Sequence, residues 1–421
     1  MSDSGLCVTD ALFNGETVSL RAEGGLIDQI GPDVMPRPGD TVIDARGDIL
    51  ARPMKNAHTH AAMTLFRGHG DDLPLMRWLQ EAIWPVEAKL EDEDVYWGTR
   101  LACLEMTRTG TSEFWDMYWR PTAVARAVTD AGLRAVIGPP LIDPPTATEV
   151  ETRNRGVEED LDKLKEFGPR IRSAIAPHSI YTVSEEGLEF AAGLARDRGL
   201  PVQIHLSETE GEVTQCLERY GIRPAELLDR AGLLTDSSLL AHGVWLDDGE
   251  FELIAERGAT VSSNPVANMK LAVGKIFPYP AARRASVQLA LGTDGAGSNN
   301  SLDLFSDLKT FALAQRHAAV DAEVIPIEEA WAIAGGGRST LIGDPDPLAP
   351  GKPADFLLLD GSSHELALGN LESNLVYTAS GSVVKTTVVD GVVLMKDRVV
   401  EGAAEIVAKA RERAARLGLS N

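Results

Sequence analysis

Cysteine is scarce in this chain: three residues in 421, Cys7, Cys103 and Cys216, odd in number and far apart. That excludes a disulfide framework and fits a reducing, cytoplasmic setting. Basic residues are also in deficit, 40 Lys and Arg against 63 Asp and Glu, for a formal charge of −23. Such a surface repels phosphate backbones and anionic lipids, which argues against nucleic-acid polymers and membranes as partners. A small nucleoside inside a pocket remains compatible with it. No apolar run approaches the ~20 residues needed to span a bilayer. The start, "MSDSGLCVTDALFNGE", has neither a basic region nor an apolar core, so no secretion signal is expected. Histidine is sparse as well, with eight residues, and that makes its placement informative.

What the chain does have is a strand-then-helix rhythm. Short apolar, β-branched runs end in polar residues at 49–58, 111–118, 133–142, 170–178, 200–208, 237–243, 258–265 and 286–295. Amphipathic stretches lie between them, among them "SEEGLEFAAGLARDRG", with Ser184 as N-cap and Gly199 as stop. Alternations of this kind over about 300 residues predict a closed parallel (β/α)8 TIM barrel. An open doubly wound sheet is the weaker reading, because no glycine-rich phosphate loop follows the first run. Residues 1–50 and 347–421 differ in kind, with short strands broken by hairpin-type turns such as "NGE", "EGG" and "VDG". Each end is small for a β domain by itself. The expectation is one discontinuous β-sandwich built from both ends, with a last helix, and a barrel of residues 51–346 inserted between them.

Five of the eight histidines fall where runs end. His58 and His60 close the first, His178 the fourth, His205 the fifth and His242 the sixth, while Asp294 closes the eighth in "GTDG". Period-2 alternation puts His58 and His60 on one face of a strand. The carboxyl ends of barrel strands are where barrel enzymes carry their chemistry. Three imidazoles, His58, His60 and His205, with the carboxylate of Asp294 form an N₃O set suited to one divalent ion, Zn²⁺ or Fe²⁺. An open position for water would complete it, the ion lowering that water's pKa from ~15.7 towards ~7. Glu208, three residues past His205, is placed to act as general acid; Asp294 is placed to take the water's proton and His242 to hold the water or the departing group. A paired-metal barrel usually needs a lysine at the end of the fourth strand, and "RIRSAIAPH" has none. Each residue has a bland reading too: His178 as a core histidine, Glu208 as a helix N-terminal acid, Asp294 as a turn aspartate. Their common position at strand ends is what outweighs it.

The motifs "NAHTHAAMTLFRG", "APHSIYTVSEE", "IHLSETEGEV", "LAHGVWLDD", "SSNPVANMKLAVG" and "LGTDGAGSNNSLDLFSDLK" resemble those of the amidohydrolase superfamily. Within it they look most like the S-adenosylhomocysteine/5′-methylthioadenosine deaminases and the related chlorohydrolases and guanine deaminases. The resemblance implies the same metal ligands, with Glu208 as proton shuttle and His242 beside the activated water. It also implies that Glu87 in "WPVEAKL" contacts the ribose hydroxyls, that His178 contacts the nucleoside, and that Arg153 or Arg155 reaches the substrate. Relatives are often homo-oligomers, so assembly is expected.

The departures bear on substrate. Where members that bind the homocysteine carboxylate carry an arginine after the third strand, this chain has Gly138, Pro139 and Pro140. A desolvated carboxylate without a partner is costly, so a neutral or apolar 5′ group is expected. The reaction implied is hydrolysis of a 6-aminopurine nucleoside, such as 5′-methylthioadenosine or adenosine, to its inosine analogue and ammonia. Rival readings are the same chemistry on guanine, a pterin, a pyrimidine or a chlorinated triazine, or an inactive barrel kept as a scaffold. Trp84, Trp115 and Trp119 are each open to a pocket or a core role. Lys55, in "ARPMKN", has no role in this reading.

Overall fold

The computed structural model describes residues 5–419. Two sets of parallel strands carry the site. Met54–Thr59 (β1), Thr111–Met117 (β2), Arg134–Gly138 (β3) and Ile171–Ser173 (β4) pair in that order. Val202–Leu206 (β5), Ser238–His242 (β6), Thr260–Ser263 (β7) and Gln288–Leu291 (β8) form the second set. Backbone bonds join the sets on both sides. Gln203 N–H donates to Ile175 O at 2.9 Å on one side, and Asp294 N–H donates to His58 O at 3.0 Å on the other. Ala57, Trp115, Val136, Ala174, Leu239 and Ala290, drawn from both sets, pack in one buried cluster.

Every run expected from the sequence holds a strand, and three hold two: 133–142 and 170–178 add Pro140–Leu141 and Ala176–Pro177, which pair in parallel with each other. The stretch 49–58 is two strands, because Pro53 interrupts the ladder. Ile49–Ala51 pairs antiparallel with Phe356–Leu359, and only Met54–Thr59 joins the parallel set. The helices between strands obey their caps. Ser184 Oγ accepts the Gly187 N–H at 3.2 Å, and Gly199 ends that helix at φ +62°. Asp247 Oδ1 accepts the Glu250 N–H at 2.9 Å, and Gly258 (φ +74°) stops the helix Asp248–Arg257. Among the described residues no helix is long and apolar enough to cross a membrane.

The two ends of the chain meet in one eight-stranded mixed sheet. Leu6–Phe13, Glu16–Glu23, Leu26–Gly31, Thr41–Asp44 and Ile49–Ala51 come from the N-terminus; Phe356–Leu359, Val384–Val389 and Val392–Met395 come from the C-terminus. The far edge returns on itself, since Ile27 N–H donates to Lys352 O and Ala354 N–H to Gly25 O, both at 2.8 Å. Val8, Leu20, Ile27, Phe356 and Leu358 are enclosed in the core this makes. The last helix, Ala403–Leu417, packs elsewhere than its place in the sequence suggests. Its Ala410 and Leu417 join the cluster of Cys103 and Met106, and Arg416 Nε bonds Asp94 Oδ1 at 3.0 Å, so it lies on the helix Asp92–Thr109.

Lys55 finds its role beneath the parallel strands. Its Nζ lies 3.3 Å from Glu113 and 4.0 Å from Asp355, and Arg134 Nε bonds the same Asp355 at 2.9 Å. Arg134 also pairs with Asp390, which Arg170 Nε meets at 2.6 Å, and Arg172 pairs with Glu113. Four cations and three carboxylates thus bolt β1–β4 to the end sheet. Removing one member of such a largely buried network strands its partners, at a cost of about 3 kcal/mol. Asp355→Ala is therefore expected to lower the denaturant midpoint by that equivalent without changing bound-ion content, as measured by chemical unfolding and elemental analysis.

Candidate active site

The parallel strands end with their functional side chains aimed at one point. His58 lies in β1 and His60 just beyond it; His205 lies in β5, His242 ends β6, and Asp294 follows β8. Three backbone positions here are left-handed without being glycine: Ser207 at φ +50°, His242 at +75° and Asp294 at +61°. Strain of this kind persists where the surroundings hold it, and here it turns side chains towards the strand ends. Gly292 allows the approach of β1, since a Cβ there would sit 2.4 Å from Asn264 Oδ1 and 2.9 Å from the His58 nitrogen.

Asp294 Oδ1 lies 3.5 Å from His58 Nε2 and 3.2 Å from His60 Nε2, and His60 Nε2 lies 3.3 Å from His205 Nε2. The outer nitrogens are spoken for: His60 Nδ1 bonds Met117 O at 2.7 Å and His205 Nδ1 bonds His178 O at 2.6 Å. These carbonyls take the ring protons and leave the Nε2 lone pairs facing inward, as metal-ligating histidines require. Both ring nitrogens of His58, together with Asp294 Oδ1, are buried without a hydrogen-bond partner. Unsatisfied buried polar atoms are rare, and His58 Nε2 and Asp294 Oδ1 face one another at 3.5 Å. The donor set fits a divalent cation.

Electrostatics agree at His58 and His205. Burial pushes His58 down to about 4 and His178 to about 3, and it holds His205 well below the ordinary value, so these rings are neutral donors. Burial opposes charge on His60 too, but the Asp294 carboxylate overrides it and lifts the ring to about 9. Burial would raise Asp294; His58 and His60 overcome it and hold the carboxyl well below the usual range. Ser298 Oγ donates to its other oxygen at 2.6 Å. Glu208, buried and 3.8 Å from His242 Nδ1, is raised by burial, with His242 pulling the other way. Its backbone is fixed from below, as the Glu212 carboxylate accepts the N–H groups of Ser207 at 2.7 Å and Glu208 at 2.9 Å. His242 Nδ1 meets Asn268 Oδ1 at 2.8 Å, which leaves its Nε2 as an acceptor.

Above this centre opens a cavity lined mostly by apolar and aromatic side chains. His60, His178, His205, Glu208, His242, Asp294 and Glu87 all border it. Glu87 Oε2 accepts the Trp119 Nε1–H at 3.2 Å, and burial raises its carboxyl. Of the tryptophans, Trp84 and Trp119 line the cavity while Trp115 is core. Arg153 and Arg155 are not brought in. Both lie on the helix Ala147–Leu164, Arg153 Nη1 is bonded to Asp143 at 2.9 Å, and Arg155 is exposed. Asp143 also accepts the Ser184 N–H at 2.7 Å, so Arg153 serves to pin that loop. No described Lys or Arg borders the cavity. Sequence reasoning missed Trp78, Leu79, Met117, Ile142 and Tyr181, which form much of its apolar wall. The spacing of Leu75, Leu79, Ile83 and Glu87 was an available signal for the helical part.

The sequence pattern of the amidohydrolase family matches residues 54–394. A 5′-deoxyadenosine deaminase of Methanoregula boonei is 44% identical over 93% of this chain and 90% of its own length. A 5-methylthioadenosine/S-adenosylhomocysteine deaminase 1 of Archaeoglobus fulgidus is 38% identical over 95% of both chains. The crystal structure of an adenosine deaminase from Xanthomonas campestris with bound zinc superposes with a TM-score of 0.88 at 35% identity, covering 98% of this chain and 99% of that one. The fold and donor set define a metal-dependent hydrolase. The chain belongs to the amidohydrolase family.

The ligand assignment has a direct check. His58→Ala, His205→Ala and Asp294→Ala chains are expected to lose the ion on dialysis, whereas Glu208→Gln keeps one per chain. Elemental analysis measures this, and full retention by Asp294→Ala would remove it from the ligand set.

Proposed function

We propose that this chain is a hydrolytic deaminase of 6-aminopurine nucleosides with a neutral or apolar 5′ group. The observation that carries the reading is the junction of a His₃Asp donor set with an apolar cavity that also presents Glu87. The similarity to 5′-deoxyadenosine and methylthioadenosine deaminases supports it. We take the strands β1–β8 to close into a (β/α)8 barrel of residues 51–346; the bonds joining both sets and their shared buried cluster support closure. The end sheet of residues 5–50 and 347–401 then forms the second, sandwich-like domain.

His58, His60, His205 and Asp294 would hold one divalent ion, zinc by analogy with the zinc-bound relative. Such an ion supplies Lewis-acid activation of water at neutral pH. The protein's own groups handle the protons. As water adds to the amino-bearing carbon, Glu208 gives its proton to the adjacent ring nitrogen and Asp294 takes one from the water. Asp294 then delivers that proton to the departing amine, and Glu208 recovers one from the new hydroxyl as the carbonyl forms and ammonia leaves. His242, with Nδ1 committed to Asn268, offers Nε2 as acceptor to the attacking water. Glu87 accepts from the ribose hydroxyls, and His178 borders the nucleoside. Leu79, Met117, Pro140, Ile142 and Tyr181 leave the 5′ end no cationic partner, so the carboxylate of a homocysteine tail would be desolvated unpaired.

An ammonia-release assay tests this. The zinc-loaded chain is expected to deaminate 5′-deoxyadenosine and 5′-methylthioadenosine, with kcat/KM about 100-fold lower for S-adenosylhomocysteine, the scale of an unpaired buried charge. Glu208→Gln should lower kcat by a factor of about 10² to 10⁴ with its ion retained. Release of ammonia from guanine or cytosine but from no adenosine analogue would defeat the proposal.

A further inference from the structure

The helix over the cavity changes pitch on its way to Glu87. Leu75–Arg77 and Trp84–Glu87 are α-helical, and Trp78–Ile83 between them is a π turn. The bonds show the change. Trp78 N–H reaches back four residues to Pro74 O at 2.8 Å, Trp84 N–H reaches back five to Leu79 O, and Ala88 N–H again reaches back four to Trp84 O at 3.1 Å.

Pro85 supplies the cause. It has no N–H to give, and in an α-helix its ring would strike the carbonyl four residues earlier, that of Glu81. A wider turn ahead of it relieves the clash. The consequence reaches the cavity. Leu75, Leu79, Ile83 and Glu87 all line it, at strict intervals of four. An unbroken α-helix turns ~100° per residue, so four residues overshoot a full turn by ~40° and twelve by ~120°. Glu87 would then face away from the wall that Leu75 forms. The π turn absorbs one extra residue and brings Glu87 back into phase. The slack lies on the outer face, where Gln80 is exposed and Arg77 Nε pairs with Glu81 at 2.8 Å.

We propose that the π turn before Pro85 is a positioning element for substrate recognition: it aims Glu87 at the ribose hydroxyls. The inference rests on the nucleoside reading above and adds how this chain selects a nucleoside over a free base. Pro85 touches no reacting atom. It acts through Glu87.

Phase makes a test with a rescue. Pro85→Ala lets the helix tighten and swings Glu87 out. Deleting Gln80 in that variant removes the surplus residue, so a regular α-helix presents Glu87 again. Kinetics are compared on adenosine and on 2′,3′-dideoxyadenosine, which lacks the hydroxyls. Pro85→Ala is expected to raise KM for adenosine about 10-fold, the scale of a lost hydrogen bond to a charged group, with kcat nearly unchanged. The deletion should restore KM to within about threefold, and neither change should affect the dideoxy substrate. As a second variant, one alanine inserted after Gln80 in the otherwise unaltered chain should give the same adenosine-specific loss. Ion content at the parent level shows that each variant is folded. Equal losses on both substrates, a deletion that worsens Pro85→Ala, or an insertion without effect would each overturn the inference while leaving deamination intact. A parent chain inactive on every nucleoside would overturn both readings.

Discussion

Four buried donor atoms crowded on one point govern this structure. Three imidazole nitrogens and one carboxylate oxygen are driven together in a buried place, with His60 and His205 tied to carbonyls on their outer nitrogens and His58 and Asp294 Oδ1 left without a partner. Left so, they would carry the penalty of unsatisfied polar burial several times over. A divalent cation resolves that penalty and makes the arrangement an asset. The left-handed backbone at Ser207, His242 and Asp294 follows from the same demand, because side chains from separate strands must turn on one centre. Glu212, buried and bound to two backbone N–H groups, holds one of those turns in place.

The rest of the fold can be read as support for that convergence. Parallel strands deliver side chains to one end while the helices between them cover the outside. Underneath, Lys55, Arg134, Arg170 and Arg172 interleave with Glu113, Asp355 and Asp390. That network ties the base of the strands to a sheet made by both chain ends, keeping the first strands in register with each other. The chemistry at the top needs placement within a fraction of an ångström, and a clamped base contributes to it.

Much of this was legible in the sequence because it rests on local rules. The eight apolar runs gave the strands, Ser184 gave a helix start, and histidines at run ends gave the centre. What escaped depends on distant partners or on phase. Lys55 made sense only beside Glu113 and Asp355, the second three hundred residues on. Arg153 and Arg155 looked equally placed for the substrate, but Asp143 captured one and solvent the other. The last helix belonged by sequence to the end sheet, yet its stripe of Ile406, Ala410 and Leu417 suited the helix Asp92–Thr109. The π turn was invisible because apolar periodicity assumes one pitch throughout, and Pro85 alone did not reveal which way the chain would yield. Carbonyls such as Met117 O and His178 O leave no mark in a sequence at all.

A cavity walled by apolar side chains, with acids and histidines at its floor and no arginine or lysine among its described lining residues, favours a flat polar ring bearing a greasy or neutral tail. All of it presupposes the ion. Anomalous scattering at the zinc edge from crystals of the zinc-supplied chain addresses that point most directly. One peak is expected at about 2.0–2.2 Å from the inward nitrogens of His58, His60 and His205 and an oxygen of Asp294. A map with no peak there, or with the metal held elsewhere, would contradict the account at its root.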